Sequence, residues 1–230
     1  MISIIACTMR PSFMDQIFSN YERQADVKKE MIIILNRDDM DLEVWRERAK
    51  SYENVSVYKV SETYRLGKCL NYGIKKAKYD IIAKFDDDDY YAADYLKEAL
   101  DGMKKSEADI IGKNTAFIYF EENKALMIFR DGNEMKYTDK LKGGTLVFKR
   151  SVWDQVKFSE DVISRSDEIF LKESIKKGFK LYAVSKYNYV CIRRKDTSSH
   201  TQKLSAKRYM EKCRLKRYTD RYMSHIIKKM

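Results

Sequence analysis

Histidine is close to absent from this chain, with two in 230 residues, and Pro11 is its single proline. The four cysteines, Cys7, Cys69, Cys191 and Cys213, are scattered and form no C-x-x-C pair. That excludes the usual zinc spacing and a dense disulfide framework, and reduced thiols in the cytoplasm are the expectation. No stretch approaches the ~20 apolar residues of a membrane span. The apolar start Met1-Ile2-Ser3-Ile4-Ile5 has no basic segment before it and is too short for a signal peptide. No low-complexity linker, disordered tract or repeat period interrupts the pattern. Glycine is missing from the turn after the first apolar run, which reads Thr8-Met9-Arg10-Pro11-Ser12. Dinucleotide-binding folds and sugar nucleotidyltransferases place a Gly-rich phosphate loop there, so both are disfavoured.

Acidic residues are scarce at one end only. Residues 193–230 carry 13 Lys/Arg against 3 Asp/Glu, so most of the net charge of +11 lies there and the preceding chain is close to neutral. A near-neutral body argues against a nucleic-acid partner and puts any attraction for anions at the tail. Apolar residues make up 44% of the chain, with 17 Tyr and 10 Phe, enough for a core. Apolar runs at 3–7, 31–35, 55–60, 79–85 and 108–112 alternate with helical spacing at 13–24, 42–52, 68–78 and 90–105. That alternation predicts an α/β fold with a mostly parallel sheet covered on both faces. Further on, 116–120 and 125–130 read as a hairpin, 145–149 as a strand, and 166–177 as a helix closed by Gly178. Two more strands follow at 180–184 and 189–192. From about 202 the pattern turns helical, with Leu215, Tyr218, Tyr222 and Ile226 on one stripe. The expected organisation is one domain over 1–200 and a basic amphipathic helical tail over 201–230.

Asp86-Asp87-Asp88-Asp89 follows directly on Ile81-Ile82-Ala83-Lys84-Phe85. Ligands of open α/β sheets bind outside the carboxyl ends of the strands, which is where this run falls. Four adjacent carboxylates repel one another, and a hard divalent cation, Mn²⁺ or Mg²⁺, relieves the repulsion. Alternate residues of an extended chain point the same way, so Asp86 and Asp88 can face one site.

With these residues stand Tyr64-Arg65-Leu66-Gly67-Lys68-Cys69-Leu70-Asn71-Tyr72-Gly73-Ile74, Ala77, and Asp94-Tyr95-Leu96. Together they resemble the central signature of the family 2 glycosyltransferases, with a narrower likeness to bacterial surface-polysaccharide or spore-coat types. The resemblance implies a GT-A fold, a smaller antiparallel acceptor-side region, and inverting sugar transfer from a nucleotide-diphosphate donor, with UDP favoured. It makes Asp86 and Asp88 the D-x-D motif. Asp86 and Asp87 would meet the nucleotide and Asp88 the metal, with Asp89 as an alternative ligand. Thr8 and Arg10 would line the base and ribose, and Arg65 and Lys68 would lie near the nucleotide. Where relatives have Asp-Asp-Gly-Ser, this chain has Asn36-Arg37-Asp38-Asp39, leaving Asn36 or Asp38 for the base edge.

Inverting transfer needs a carboxylate to take the acceptor's proton and positive charge on the departing diphosphate. The resemblance puts the base at Asp167. Ser166 replaces the usual preceding Glu, so Glu168 is a rival. Gly143 and Gly144 would border the acceptor, where glycine lets backbone approach a sugar. Arg193 and Arg194 would meet the diphosphate and His200 the metal. The acceptor would be a glycan, a lipid-linked group or a protein. The expected place is the cytoplasm or the inner membrane face, with the tail packed on the domain, on a second copy or on anionic lipid. A non-catalytic nucleotide- or glycan-binding scaffold of the same fold is the alternative.

Overall fold

The computed structural model of the chain describes residues 1–196 and 205–227. It opens as the sequence predicts, with strands and helices in turn: β1 (Ile2–Thr8), α1 (Met14–Arg23), β2 (Lys29–Leu35), α2 (Leu42–Ala49), β3 (Val55–Lys59), α3 (Leu66–Lys76) and β4 (Ile81–Asp86). β3, β2, β1 and β4 lie side by side in that order, all parallel. Their continuous apolar sequences are explained by burial on both faces. In β1, Ile2, Ile4 and Ala6 face a core shared with α1 and α2, and Ile5 faces one shared with α3. α3 comes close to the sheet through Gly73, where a Cβ would stand 2.7 Å from Ile5 Cγ2.

β5 (Tyr90–Tyr91), α4 (Tyr95–Ser106), β6 (Ile110–Gly112), β7 (Ala116–Phe120), β8 (Ala125–Phe129) and β9 (Lys136–Tyr137) follow. Then come a 3₁₀ turn at Gly143–Thr145, β10 (Val147–Lys149), α5 (Arg150–Gln155), α6 (Ser166–Lys176), β11 (Leu181–Ala183) and β12 (Tyr189–Arg193). β10 joins β4 and β6 antiparallel, and β11 and β9 complete an eight-stranded sheet. A second, five-stranded sheet contains the predicted β7–β8 hairpin, with β12 parallel to β7. The helix expected over 90–105 begins only at Tyr95, because Tyr90 and Tyr91 pair with Val190 and Tyr189.

The C-terminal segment departs further from expectation. It is α7 (Ala206–Met210), β13 (Cys213–Tyr218) and α8 (Met223–Ile226), not one helix. β13 pairs antiparallel with β8 and covers its open edge, so backbone pairing overrides the helical stripe. Leu215 and Tyr218 of that stripe are exposed. Tyr209 of α7 packs on one face of the second sheet and Ile226 of α8 on the other. No helix among the described residues is long and apolar enough to cross a membrane.

Candidate active site

β1 sits between β2 and β4, so the strand order reverses beside it, and the carboxyl ends of β1 and β4 mark the point where open α/β sheets form a ligand crevice. Thr8 ends β1 and Asp86 ends β4. The chain turns from Asp87 on, yet burial still alternates. Asp86 and Asp88 keep 34% and 18% of their side-chain surface, whereas Asp87 and Asp89 are buried.

Each carboxylate has its own partners. Asp87 faces β1, accepting from Thr8 Oγ1 at 2.6 Å and from Arg10 through a two-pronged contact that includes Nε at 3.1 Å. Asp88 lies between two guanidiniums, Arg10 at 2.9 Å and Arg194 at 2.6 Å, both stacked over the Phe13 ring. Burial pushes the Asp88 carboxyl up, and the two arginines outweigh it, leaving the group below its ordinary range. Asp89 turns toward the second sheet, accepting from the Tyr189 hydroxyl and from the Ile192 N–H at 3.1 Å. Its backbone carbonyl accepts from Gln16 and Asn20 of α1. Burial, followed by Asp88 and Asp86, pushes its carboxyl up to about 7. Asp89 thus anchors the acidic turn to β12, while its Oδ2 also lies 3.0 Å from where a Gly144 Cβ would stand, beside Asp86 Oδ2.

Asp167, in the first turn of α6, reaches the same crevice. Its Oδ2 accepts from Lys84 Nζ at 3.2 Å. The same ammonium donates to Asp86 Oδ1 at 2.7 Å and to the Gly143 carbonyl at 3.2 Å. Asp167 Oδ1 is buried without a hydrogen-bond partner. Burial pushes the Asp167 carboxyl up, with Lys84 pulling the other way. Glu168 points elsewhere, its side chain 74% exposed and 3.8 Å from Arg165. Gly143 and Gly144 are where the carboxylates come closest. A Cβ on Gly143 would stand 2.2 Å from Asp167 Oδ2, and one on Gly144 2.6 Å from Asp86 Oδ2. Tyr91 ties the two segments, its hydroxyl donating to the Gly144 carbonyl at 2.6 Å and accepting from the Asp86 N–H at 2.8 Å.

The structure thus brings together Thr8, Arg10, Asp86, Asp87, Asp88, Gly143, Gly144, Asp167 and Arg194. Asn36 follows β2 with its N–H on the Thr8 carbonyl, and its side chain donates to the Ser61 carbonyl. Asp38 is exposed and bonds the Glu62 N–H. Arg65 is exposed, and Lys68 lies 3.9 Å from the Tyr64 ring centroid. Arg193 is buried, its guanidinium 5.3 Å from the Tyr209 ring centroid. His200 lies outside the described residues. Lys84, Tyr91 and Tyr189 are site residues that the motifs do not single out. Only Lys84 leaves a signal, as a charge inside an apolar strand.

Among the described residues no three His, Cys, Asp or Glu side chains gather closely enough to hold a cation by themselves. Mg²⁺ and Mn²⁺ do not need such a cage, because one or two carboxylates and substrate phosphates supply their oxygen ligands. Asp86 and Asp88, the two carboxylates of the turn left partly exposed, fit that donor set.

The family model described as Glycosyl transferase family 2 matches residues 3–150. S. aureus TarS 1–349 in complex with UDP-GlcNAc is similar in structure, with a TM-score of 0.67 at 15% identity over 89% of this chain and 61% of that one. The mannosyltransferase PcManGT from Pyrobaculum calidifontis, in complex with GDP-Man and Mn²⁺, gives 0.62 at 17% identity over 84% of this chain and 56% of that one. The chain thus spans about three fifths of the length of the solved structures it resembles. No curated protein matches it in sequence. The predicted GT-A fold is the one these neighbours share. On the family match over most of its length, this chain belongs to the family 2 glycosyltransferases.

Proposed function

We propose that the chain transfers a sugar from a nucleotide-diphosphate donor to an acceptor hydroxyl, with inversion at the anomeric carbon. The observation that carries this reading is the convergence of Asp167 and the acidic turn on one crevice, bridged by Lys84. A UDP-sugar is the favoured donor, in keeping with the UDP-GlcNAc in the TarS complex. A bacterial surface-glycan or spore-coat acceptor belongs to this reading on the resemblance carried by the acidic run and the residues around it.

Asp167 is the base. Its carboxylate, whose side chain keeps 22% of its surface exposed, takes the proton as the acceptor oxygen attacks the anomeric carbon and the bond to the diphosphate breaks. Arg194 and Arg10 bring positive charge to the side of the crevice where the leaving group would gather. A bound Mn²⁺ or Mg²⁺, held by Asp86, Asp88 and donor phosphates, would neutralise the charge that develops on the diphosphate. Thr8 and Arg10 fix Asp87, and through it the shape of the turn. Residues 205–227 belong to the same folded unit, clasping the second sheet. The test is UDP or GDP release from a panel of nucleotide-sugars with Mn²⁺, with and without glycan acceptors. Release by the wild type and loss of at least ~100-fold in Asp167→Asn are expected. No turnover of any donor that binds would leave a scaffold.

A further inference from the structure

Lys84 is the anomaly of β4. It stands in an otherwise apolar strand at the centre of the larger sheet, and its side chain is 3% exposed. Burying an ammonium costs several kcal/mol unless good partners replace its water. Here three N–H donors meet three acceptors on three separate segments. They are Asp86 Oδ1 at the end of β4, the Gly143 carbonyl in the 3₁₀ turn, and Asp167 Oδ2 at the start of α6.

The arrangement has two consequences for the site. The bonds of 2.7 and 3.2 Å to one nitrogen keep the two carboxylate oxygens within about 5.9 Å of each other. At that separation like charges repel, and the ammonium between them offsets the repulsion. It also occupies Asp167 Oδ2 while Oδ1 is left without a partner, so the two oxygens of the carboxylate are made unequal.

Resting on the reading of Asp167 as base, we propose that Lys84 is a positioning residue: its ammonium pins Oδ2 of Asp167, which fixes the rotation of that carboxylate, and holds the base at a fixed distance from Asp86. Lys84 touches neither donor nor acceptor and acts through the two aspartates.

The experiment is a double-mutant cycle on Lys84→Met and Asp167→Asn, with Lys84→Arg as a third variant. UDP release from UDP-N-acetylglucosamine, or from whichever UDP-sugar the wild type turns over, gives kcat and KM. Calorimetry with UDP and Mn²⁺ gives the nucleotide affinity separately. Lys84→Met is expected to lower kcat by on the order of 100-fold, the usual loss for a base misplaced by about 1 Å. Because Lys84 also bonds Asp86, UDP affinity is read beside it, and kcat is expected to fall at least about tenfold further than the affinity does. On the Asp167→Asn background the same change should cost at least about tenfold less in kcat, because the base is gone and only the hold on Asp86 remains. Wild-type kcat in Lys84→Met, or an equal loss on both backgrounds, overturns the proposal. Full-rate transfer by Asp167→Asn overturns the base reading, and the proposal with it. Should Lys84→Met not fold, Lys84→Arg keeps the charge and changes only its geometry. A lower kcat at unchanged KM then supports the proposal, and wild-type kcat overturns it.

Discussion

Gly143→Ala separates the fold from the chemistry. The added Cβ would stand 2.2 Å from Asp167 Oδ2, 2.8 Å from its Cγ and 3.0 Å from its Cβ. Ordinary contact begins at 3.4 Å, so the carboxylate must retreat by about 1.2 Å. All three obstructing atoms belong to one side chain; the carboxyl group can swing aside, and the first turn of α6 gives by a few tenths of an ångström to relieve the Cβ contact at 3.0 Å. The cost to stability is about 1–3 kcal/mol, because the new Cβ overpacks the site and loosens a partner of the buried Lys84 ammonium. The cost to transfer is large, because a displacement of that size at a reacting group lowers the rate by on the order of 100-fold, about 2.7 kcal/mol. It also draws Oδ2 away from Lys84, which holds it at 3.2 Å. The assay pairs a urea titration with single-turnover transfer at saturating donor. A modestly lowered urea midpoint, with transfer slowed far more than the fall in folded fraction accounts for, is the expected outcome. Wild-type transfer, in a protein whose Asp167→Asn variant is inactive, would refute the argument that the glycine exists to admit this carboxylate.

Gly67→Ala should do the reverse. Its Cβ would fall 1.9 Å from the Ser159 carbonyl oxygen, a backbone atom, so a loss of ~1–3 kcal/mol in urea or thermal unfolding is expected; a melting temperature equal to the wild type would contradict this. Asp89→Asn should flatten the pH dependence of stability. Burial, followed by Asp88 and Asp86, pushes the folded carboxyl up to about 7 from 3.8 for a free Asp, so the folded state binds more protons between those values and wild-type stability falls as pH rises through that window. Three pKa units correspond to at most about 4 kcal/mol, and melting curves in chelator from pH 4 to 8 would show a shallower slope in the variant, the raised Asp167 carboxyl accounting for part of what remains. An identical slope in both proteins would assign the dependence to another group.

Much of this was legible in the sequence because the strands are buried on both faces and so are written as apolar runs. The acidic run at the end of one of them is placed by the same pattern, whereas Asp167 was singled out by the family resemblance of its helix. The parts that were not legible depend on pairing between distant segments. Tyr90 and Tyr91 carry helical spacing but are drawn into a strand by Tyr189 and Val190. Leu215 and Tyr218 lie on a helical stripe but pair with the open edge of β8. Asp89 looks equivalent to its neighbours, and only the fold supplies the Tyr189 hydroxyl and the Ile192 N–H that tie it to β12. Lys84 was visible as a charge in an apolar run, but its three partners are 2, 59 and 83 residues away.

The central claim is that the acidic turn binds a nucleotide diphosphate together with a divalent cation. Calorimetric titration of UDP into the wild type and into Asp88→Ala, each with Mn²⁺ and with chelator, tests it most directly. The account predicts binding by the wild type that needs Mn²⁺ and that Asp88→Ala abolishes. Equal affinity in the two proteins, or binding indifferent to the chelator, would contradict it.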